Sequence, residues 1–282
     1  MIVGLDAGRS LRRELTKTEH QIMYEFCNVS HEDKLCIITI NRPAVRNALH
    51  RPANLELQQA FDDFQNNPDL RVAILTGAGD DAFCAGNDLK YQAAGNDTTY
   101  PEAGFGGITA RFAMNKPVIA AVNGLAMGGG FEIALACDLI VASENAFFSL
   151  PEPLVGLAAI CGGILRLPQQ IPTKQAMGII LTGRRVMAQE AQTLGFVNEV
   201  VPRGEALNAA RRWADQILKC SPMSVKASKE LAYKGIQNSD LEEMYPIQKA
   251  FPAVKALYTS RDRTEGAKAF AEKRAPVWTN EQ

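Results

Sequence analysis

The chain has 282 residues, enough to bury a sizeable core in one large domain or in one domain with a helical appendage. Its 30 Lys and Arg residues balance 31 Asp and Glu residues, and a formal net charge of -1 gives no reason to expect nucleic acid or an anionic membrane as partner. An anionic ligand must therefore be bound by local cations. No apolar run approaches the roughly 18 residues that a membrane-spanning helix needs.

The cysteines and histidines show no metal-binding spacing. Cys-x-x-Cys pairs are absent, and several cysteines lie in apolar runs, which favours small buried thiols over a metal site. The histidines all lie early in the chain and are expected at the surface or as helix caps. We therefore expect no metal ion and no histidine-based triad. The residues concerned are Cys27, Cys36, Cys84, Cys137, Cys161, Cys220, His20, His31 and His50.

The N-terminal residues have neither an apolar signal-peptide core nor the acid-poor composition of an organelle transit peptide. We expect residues 1–21 to form a flexible extension of a cytoplasmic protein.

Short β-branched segments alternate with amphipathic helices up to about residue 203. Between the first two strands, apolar residues recur at helical spacing from Leu57 to Phe64, with Pro52 suited to the first turn and Pro68 ending the helix. This order predicts a βαβ unit. The strands are mostly continuous and apolar, so we expect them to be buried on both faces. They are Leu35–Ile40, Arg71–Gly77, Pro117–Gly124, Asp138–Ser143 and Phe196–Val201.

The remaining residues favour helices. One is predicted from about Gly204 to Leu218, and Ser221 followed by Pro222 is a good N-cap and first-turn pair for the next. We therefore divide the ordered chain into a core of residues 22–203 and a C-terminal helical segment of residues 204–282.

Three consecutive glycines precede Glu132 in the segment AVNGLAMGGGFEIALACD, residues 121–138. A strand is expected to end at Asn123 and a helix to begin near Phe131. A helix N-terminus exposes unpaired N–H groups and the positive end of the helix dipole, and glycines let a ligand approach the backbone. A nucleotide phosphate loop is the alternative, but the Gly-x-Gly-x-x-Gly and Gly-Lys-Ser/Thr patterns are absent.

A second carboxylate, Glu152, lies between Pro151 and Pro153 in FFSLPEPLVG. The prolines make its backbone rigid, although an ordinary turn residue is a possible interpretation. Two carboxylates in one apolar pocket, Glu132 and Glu152, would separate in pKa, one ionised and one protonated. Such a pair can activate water and deliver a proton.

A third motif is DAFCAGNDLK, residues 81–90. Ala85 and Gly86 keep the backbone clear, Asn87 can offer its N–H, and Lys90 is a nearby cation. A polar loop with a solvated lysine is the alternative. Two loops that each present a backbone N–H at a glycine would suit a thioester enolate, because together they form an oxyanion hole.

Six segments in order make the chain resemble the crotonase superfamily of enoyl-CoA hydratases and isomerases, from about Phe26 to the C-terminus. GRR at residues 183–185 and the ending FAEKRAPVW are similar to the branch that contains carnitinyl-CoA dehydratases. The resemblance implies an α/β fold, the crotonase (ClpP-like) spiral of ββα units, with C-terminal helices that support a homotrimer or hexamer. The segments are NRPAVRNAL, FCAGNDLK, KPVIAAVNGLAMGGGFEIALACD, LPEPLVG, LTGRRVMAQEAQTLGFVNEVV and AFAEKRAPVWT.

The resemblance also implies roles for individual residues. It assigns the oxyanion-hole N–H groups to Asn87 and Gly129, and the two catalytic carboxylates to Glu132 and Glu152. Lys273 matches a lysine that commonly reaches the CoA of a neighbouring subunit. The residues implied in CoA binding are Ala85, Asp88, Leu89, Lys90 and Lys273.

The implied reaction is the reversible syn addition of water to a 2-enoyl-CoA, which gives a 3-hydroxyacyl-CoA. Ionised Glu132 would activate water for attack at C3, and Glu152 would supply the proton to C2. No separate cofactor is expected, since CoA is part of the substrate. The alternatives are a carnitinyl-CoA dehydratase-like activity, an enoyl-CoA isomerase, which needs one carboxylate, and a non-catalytic CoA-thioester or RNA-binding scaffold. The C-terminal helices lack the concentrated basic face that RNA would need.

One segment departs from the family pattern. After PEPLVG the family often has a proline and a small residue, and this chain has Ala159 and Ile160. Ile160 is expected to narrow the acyl pocket or to exclude a water contact, which would alter chain-length preference more than reaction class.

Overall fold

The computed structural model describes residues 22–238 and 240–281. Its strands are β1 (Ile22–Met23), β2 (Cys27–Glu32), β3 (Leu35–Ile40), β4 (Val72–Gly77), β5 (Ala82–Cys84), β6 (Val118–Val122), β7 (Leu125–Met127), β8 (Leu139–Ser143), β9 (Phe147–Ser149), β10 (Val186–Met187) and β11 (Glu199–Val201). Its α-helices are α1 (Arg51–Asn66), α2 (Leu89–Ala93), α3 (Gly129–Ala136), α4 (Gly163–Gln170), α5 (Thr173–Thr182), α6 (Ala188–Leu194), α7 (Ala206–Leu218), α8 (Pro222–Gln237), α9 (Leu241–Ile247), α10 (Pro252–Thr259) and α11 (Arg261–Ala271).

The strands form two sheets, and the middle of the chain alternates between them. The larger sheet has the spatial order β1-β2-β3-β4-β6-β8-β11, and the smaller has the order β10-β9-β7-β5. From β4 to β9, successive strands enter the larger and the smaller sheet in turn, and their pairings within each sheet are parallel. Each repeat therefore contributes one strand to each sheet, which is the spiral arrangement that the resemblance implied.

The five predicted strands correspond to β3, β4, β6, β8 and β11, and the predicted helices to α1, α7 and α8. The first βαβ unit is confirmed, because β3 and β4 pair in parallel across α1. Every residue of β4 and of β6 is buried, as expected for continuous apolar strands covered on both faces. The last strand pairs in parallel with β8, and the described elements after it are helical.

One predicted boundary is wrong in a way that concerns the site. Helix α3 begins at Gly129 and not near Phe131, because two of the three glycines already adopt helical conformation. Gly128, with φ of 53°, makes the turn out of β7. The N-terminal end of α3 is therefore made of backbone without side chains.

Two apolar clusters hold the layers together. The larger lies between the sheets and includes the apolar face of α1 from Leu57 to Phe64. In the smaller, α7 packs alanines against the outer face of the larger sheet, for example Ala210 near Ile74 and Ile119. Small side chains let the helix approach the sheet closely. The α7 alanines are Ala206, Ala209, Ala210 and Ala214.

The structure also bears on the predictions about the histidines, the cysteines and membrane-spanning helices. His50 caps α1, since its Nδ1 accepts from the N–H of Ala53. The cysteines are free; four are buried as expected, whereas Cys161 is partly exposed and Cys220 is exposed. None of the helices in residues 22–238 and 240–281 is long and apolar enough to cross a membrane. The predicted extension of residues 1–21 lies outside the described residues, and the cytoplasmic location and the boundary near residue 203 stay predictions.

Candidate active site

The loop after β5 and the start of α3 meet at a glycine. Gly86 has φ of +90°, and a Cβ on it would lie 2.7 Å from the carbonyl oxygen of Met127 and 3.1 Å from the backbone nitrogen of Gly129. Only a glycine allows this approach. The segments bearing Asn87 and Gly129, predicted separately from two motifs, are therefore side by side.

Two backbone N–H groups are left unpaired at this junction. Leu49 bonds on either side of Asn87, accepting from Asp88 (2.9 Å) and donating to Gly86 (2.8 Å). The N–H of Asn87 itself has no acceptor in residues 22–238 and 240–281, and neither has that of Gly129, the first residue of α3. The arrangement can donate two hydrogen bonds to one oxyanion.

The three consecutive glycines are each crowded by a different neighbour. A Cβ at any of these positions would come closer to another atom than real Cβ atoms do. The segment therefore needs glycine for space as well as for the turn. The nearest atoms would be Oε1 of Glu152 for Gly128, Cε1 of Phe105 for Gly129, and the carbonyl oxygen of Cys84 for Gly130.

Glu132 lies in the first turn of α3 and is only 2% exposed. Its Oε1 accepts a hydrogen bond of 2.8 Å from the N–H of Gly163. Burial raises the pKa of Glu132 to about 7, the backbone N–H groups of Gly163 and Cys161 oppose that rise, and the neighbouring Glu152 adds to it.

Glu152 begins a short 3-10 turn, Glu152–Val155, so its backbone is that of a turn residue, and its role as a catalytic carboxylate stays a prediction. It is half-buried, and its Oε2 accepts no hydrogen bond within the described part of the chain. Burial raises its pKa. Its Oε1 lies beside Gly128, so Glu152 borders the same glycine loop that carries Glu132.

The charge of Glu152 disfavours ionisation of Glu132. Burial raises the pKa of both carboxyl groups. The sequence assigned the ionised role to Glu132, yet Glu132 is the group whose pKa reaches about 7. The two N–H donors favour charge on Glu132, whereas Oε2 of Glu152 has no such donor. The assignment of roles therefore stays a prediction.

Three neighbours of this pair were missed by the sequence analysis. Tyr100 lies near both carboxylates, the thiol of Cys161 adjoins Glu132, and the charge of Arg166 lowers the pKa of Glu132. The glycine pair Gly162 and Gly163 at the start of α4 is the sequence feature that could have indicated the part of the site near Cys161 and Arg166. Tyr100 had none, because its loop carries no periodic pattern.

The predicted CoA-binding residues on the loop after β5 fall into two groups. Leu89 and Lys90 are exposed on α2. Asp88 is buried, caps α2 by accepting from the N–H of Tyr91 (3.1 Å), and pairs with Arg42 (3.0 Å), a contact that lowers its pKa. Ala85 donates its N–H to Arg46 (3.1 Å). Asp88 and Ala85 thus support the loop, whereas Leu89 and Lys90 face solvent.

The C-terminal lysine is remote in sequence and lies just after the last helix. Lys273 follows α11 with φ of 52° and is exposed. Helix α11 packs on α10, and Arg274 pairs with Glu265 (2.6 Å). The contact of Lys273 with CoA stays a prediction.

The segment that departs from the family pattern has one buried and one exposed residue. Ala159 is 2% exposed and packs inward, whereas Ile160 is 76% exposed. The predictions that Ile160 narrows the acyl pocket or excludes a water contact stay predictions. Residues 22–238 and 240–281 contain no group of three or more His, Cys, Asp or Glu that could hold a metal ion.

Comparison with known proteins agrees with this geometry. The profile of the family described as Enoyl-CoA hydratase/isomerase matches residues 30–281. A carnitinyl-CoA dehydratase of Salmonella typhi is 43% identical over 263 residues, 91% of this chain and 99% of the relative. One of Proteus mirabilis (strain HI4320) is 44% identical over 248 residues, 86% of this chain and 93% of the relative.

Solved structures give the same result. The crystal structure of an enoyl-CoA hydratase from Mycobacterium tuberculosis H37Rv has a TM-score of 0.86 at 41% identity, covering 91% of this chain and 100% of that one. The carnitinyl-CoA hydratase from Mycobacterium avium has a TM-score of 0.73 at 41% identity, covering 91% and 99%. The chain therefore belongs to the enoyl-CoA hydratase/isomerase family, has the crotonase fold, and is a hydro-lyase of the enoyl-CoA hydratase type, as its motifs predicted.

Proposed function

We propose that the chain catalyses the reversible syn addition of water to a 2-enoyl-CoA thioester, with a 3-hydroxyacyl-CoA as product. The observation that carries the proposal is the convergence of two unpaired N–H groups, the buried Glu132 and the half-buried Glu152 at one glycine loop. One pair suits a developing oxyanion, and the other suits proton transfer and water activation.

The N–H groups of Asn87 and Gly129 would polarise the thioester carbonyl. Polarisation makes C3 of the enoyl group electrophilic and stabilises the enolate oxygen that forms as water adds. Removing one such donor in comparable sites costs roughly 2.7 to 4 kcal/mol of transition-state stabilisation. Because the donors are backbone groups held by Leu49 and by the start of α3, little reorganisation is needed during the reaction.

The carboxylates would share the remaining chemistry. Glu132, with its charge favoured by the N–H groups of Gly163 and Cys161, would take a proton from water as the oxygen bonds to C3. Glu152, whose Oε2 has no donor to favour its charge, would give its proton to C2. A syn outcome requires both groups to act from one face of the bound alkene. In the reverse direction the same pair dehydrates the 3-hydroxyacyl-CoA.

The test is a substrate panel followed by the loss of enoyl absorbance. Purified protein would be assayed with crotonyl-CoA, longer 2-enoyl-CoAs and crotonobetainyl-CoA, beside the variants Glu132→Gln and Glu152→Gln. We expect hydration of at least one thioester and its loss in both variants. Absence of hydration and of the reverse dehydration across the panel would refute the proposal.

The second candidate is a carnitinyl-CoA dehydratase-like activity, favoured by curated relatives with that name at 43% and 44% identity. The same panel decides between the two, because preference for crotonobetainyl-CoA over crotonyl-CoA in kcat/KM would support it. An isomerase would convert a 3-enoyl-CoA and would tolerate loss of one carboxylate. A non-catalytic scaffold would bind CoA thioesters without turnover.

The proposal includes a homotrimer or hexamer that binds an acyl-CoA. Large apolar side chains next to Glu152 are exposed in the single chain, among them Leu154 (71%) and Val155 (61%), and a partner subunit would cover such a surface. Sedimentation analysis of the full chain measures the assembly directly.

A further inference from the structure

The unpaired N–H of Asn87 has a hydrogen-bonded carbonyl on the opposite side of its peptide unit. That carbonyl belongs to Gly86, and in a planar trans peptide the C=O and the N–H point in opposite directions. Leu49 donates its N–H to the Gly86 oxygen at 2.8 Å. This bond therefore fixes the direction of the Asn87 N–H, which points away from Leu49.

The same relation occurs one peptide unit further back. The N–H of Leu49 shares its peptide unit with the carbonyl of Ala48, and Nη1 of Arg42 donates to that carbonyl oxygen. The Arg42 guanidinium, the Ala48–Leu49 peptide and the Gly86–Asn87 peptide are thus linked in series by hydrogen bonds. The series ends at the N–H group that is proposed to meet the substrate.

Arg42 is held in place by Asp88. Its Nη1 lies 3.0 Å from Oδ2 of Asp88, and the two side chains are only 15% and 10% exposed, so solvent screens this ion pair little. Asp88 is itself fixed, because its Oδ1 accepts from the N–H of Tyr91 (3.1 Å) and its N–H donates to the carbonyl of Leu49 (2.9 Å). The cation at the start of the series therefore has one defined position.

The backbone that carries Arg42 is also anchored to the core. Asn47 is fully buried, and its Oδ1 accepts from the N–H of Arg42 at 3.0 Å. Its Nδ2 donates to the carbonyl of Ala82 at 2.8 Å, at the start of β5. The segment that begins at Arg42 and the loop that follows β5 are therefore joined into one unit.

We propose that Arg42 is a positioning residue for the oxyanion hole, which aligns and polarises the Asn87 N–H through two peptide units, and that Asp88 holds Arg42 in place. A cationic donor makes a stronger hydrogen bond than a neutral one, and each donor in a series polarises the next. The Asn87 N–H is then a better donor to a developing oxyanion than an isolated peptide N–H. The inference deepens the proposed function and rests on it for its kinetic consequences.

The second oxyanion donor is oriented by helix backbone instead. The carbonyl behind the Gly129 N–H is that of Gly128, and it accepts from the N–H groups of Phe131 (2.9 Å) and Glu132 (3.0 Å). A change at Arg42 should therefore weaken the Asn87 donor and leave the Gly129 donor in place. We expect a partial loss of hydration, smaller than the loss that follows removal of a catalytic carboxylate.

The kinetic test compares two substitutions of Arg42. Arg42→Met keeps an apolar stem but removes the charge and the donors, so kcat for hydration should fall by roughly 10- to 100-fold. Arg42→Lys keeps a cationic donor on a more flexible side chain, so its kcat should lie between those of the parent and of Arg42→Met. Affinity for free CoA, which has no thioester carbonyl, should stay within about twofold of the parent in both variants. Loss of CoA affinity in proportion to kcat would contradict a role confined to the oxyanion hole.

Asp88→Asn tests the support of Arg42. Asparagine still caps α2 but lacks the charge that pairs with Arg42, so kcat should fall by roughly two- to fivefold. In the Arg42→Met background the same change should have no further effect, because it acts through Arg42. Arg211→Met, which breaks a 2.7 Å ion pair with Glu32 between α7 and β2, is the control and should leave kcat unchanged. Equal kcat in Arg42→Met and Arg211→Met, or additive effects of Arg42→Met and Asp88→Asn, would overturn the proposal.

A second measurement needs no turnover. The absorbance of the probe 4-dimethylaminocinnamoyl-CoA moves to longer wavelength when its thioester carbonyl is polarised. At saturating protein we expect a red shift with the parent and with Arg211→Met, a smaller shift with Arg42→Met and an intermediate one with Arg42→Lys.

This measurement decides the proposal even where Arg42→Met does not fold. A parent that gives no red shift, or parent-like shifts in both Arg42→Lys and Asp88→Asn, would overturn it. A shift that falls in the Arg42 variants of a protein that hydrates no enoyl-CoA would retain the positioning role and refute the proposed function instead.

Discussion

The two ends of the proposed substrate site are built in opposite ways. At the reacting end, the glycine loop touches Phe105, Cys84 and Glu152 so closely that no Cβ fits. At the proposed CoA end, Lys90 on α2 and Lys273 after α11 are exposed side chains in distant parts of the sequence. Geometry at the first end is therefore enforced by packing, whereas the second end relies on charges that solvent screens.

This difference has a physical reason. Proton transfer and oxyanion stabilisation depend on distances accurate to fractions of an ångström, and burial strengthens the electrostatic interactions involved. The anionic part of a large substrate, in contrast, can be attracted by cationic side chains over a longer range. Variants at the reacting end should therefore change kcat strongly, and variants at the CoA end should change KM modestly.

The largest effect is expected from the carboxylates. Glu132→Gln and Glu152→Gln should each lower kcat for hydration by roughly 10²- to 10⁴-fold, because each removes one proton-transfer group. The affinity for the CoA thioester should stay nearly intact, since the N–H donors and the CoA contacts remain. Stopped-flow or steady-state hydration assays, with calorimetric binding of a non-reactive acyl-CoA, measure both quantities.

The pH dependence offers a check on the same pair. The pKa of Glu132 is about 7, so hydration that needs ionised Glu132 should fall as the pH drops through that value. Near-normal turnover in either glutamine variant would remove that residue from the mechanism.

The next largest effect is expected from the glycine loop. Gly129→Ala must displace Phe105 and with it the N–H donor, so hydration should fall by roughly 10²- to 10³-fold. Gly129→Pro also deletes the donor, at the risk of a disturbed backbone. Gly178→Ala is the matched control, because Gly178 lies in α5 and a Cβ there meets no atom within 4 Å. Parent activity in Gly129→Ala and Gly129→Pro would end the oxyanion assignment.

The sequence predicted the residues of the reacting end more completely than the residues around them. The glycine loop, Asn87 and the two glutamates lie in motifs with local chemical meaning, and the main parallel strands are apolar runs that need no partner to be identified. The short strands β5, β7 and β9 were missed, since three residues carry no periodicity. Tyr100 and Cys161 were not found as neighbours of the carboxylates, because the carboxylates influence their pKa values only in the folded chain.

A smaller effect is expected on stability. Burial raises the pKa of Glu132 from 4.5 to about 7, so the folded protein holds this proton more tightly than the unfolded chain. Its contribution to the free energy of unfolding is full below about pH 4.5 and is lost as the pH rises through about 7. In Glu132→Gln the side chain does not titrate, and its amide oxygen can still accept the hydrogen bond from the N–H of Gly163.

The variant should therefore gain stability relative to the parent between pH 5 and pH 8, by about 1 to 3 kcal/mol. Thermal unfolding of both proteins across that range measures the difference. A constant difference in Tm at all pH values would mean that the buried carboxyl group is not the cause.

The smallest effect is expected at the CoA end, where we expect exposed charges to affect KM and not kcat. Lys90→Ala and Lys273→Ala should raise KM roughly three- to tenfold at low salt and leave kcat nearly unchanged, because contacts with CoA are equal in the ground and transition states. The difference should shrink at higher ionic strength. Lys174→Ala, which removes an exposed charge on α5, is the control.

Since Lys273 is proposed to serve a neighbouring subunit, its effect also requires an oligomer. Full activity from a monomer in sedimentation analysis, or an unchanged KM in both variants, would refute the shared CoA site while leaving the carboxylate chemistry intact.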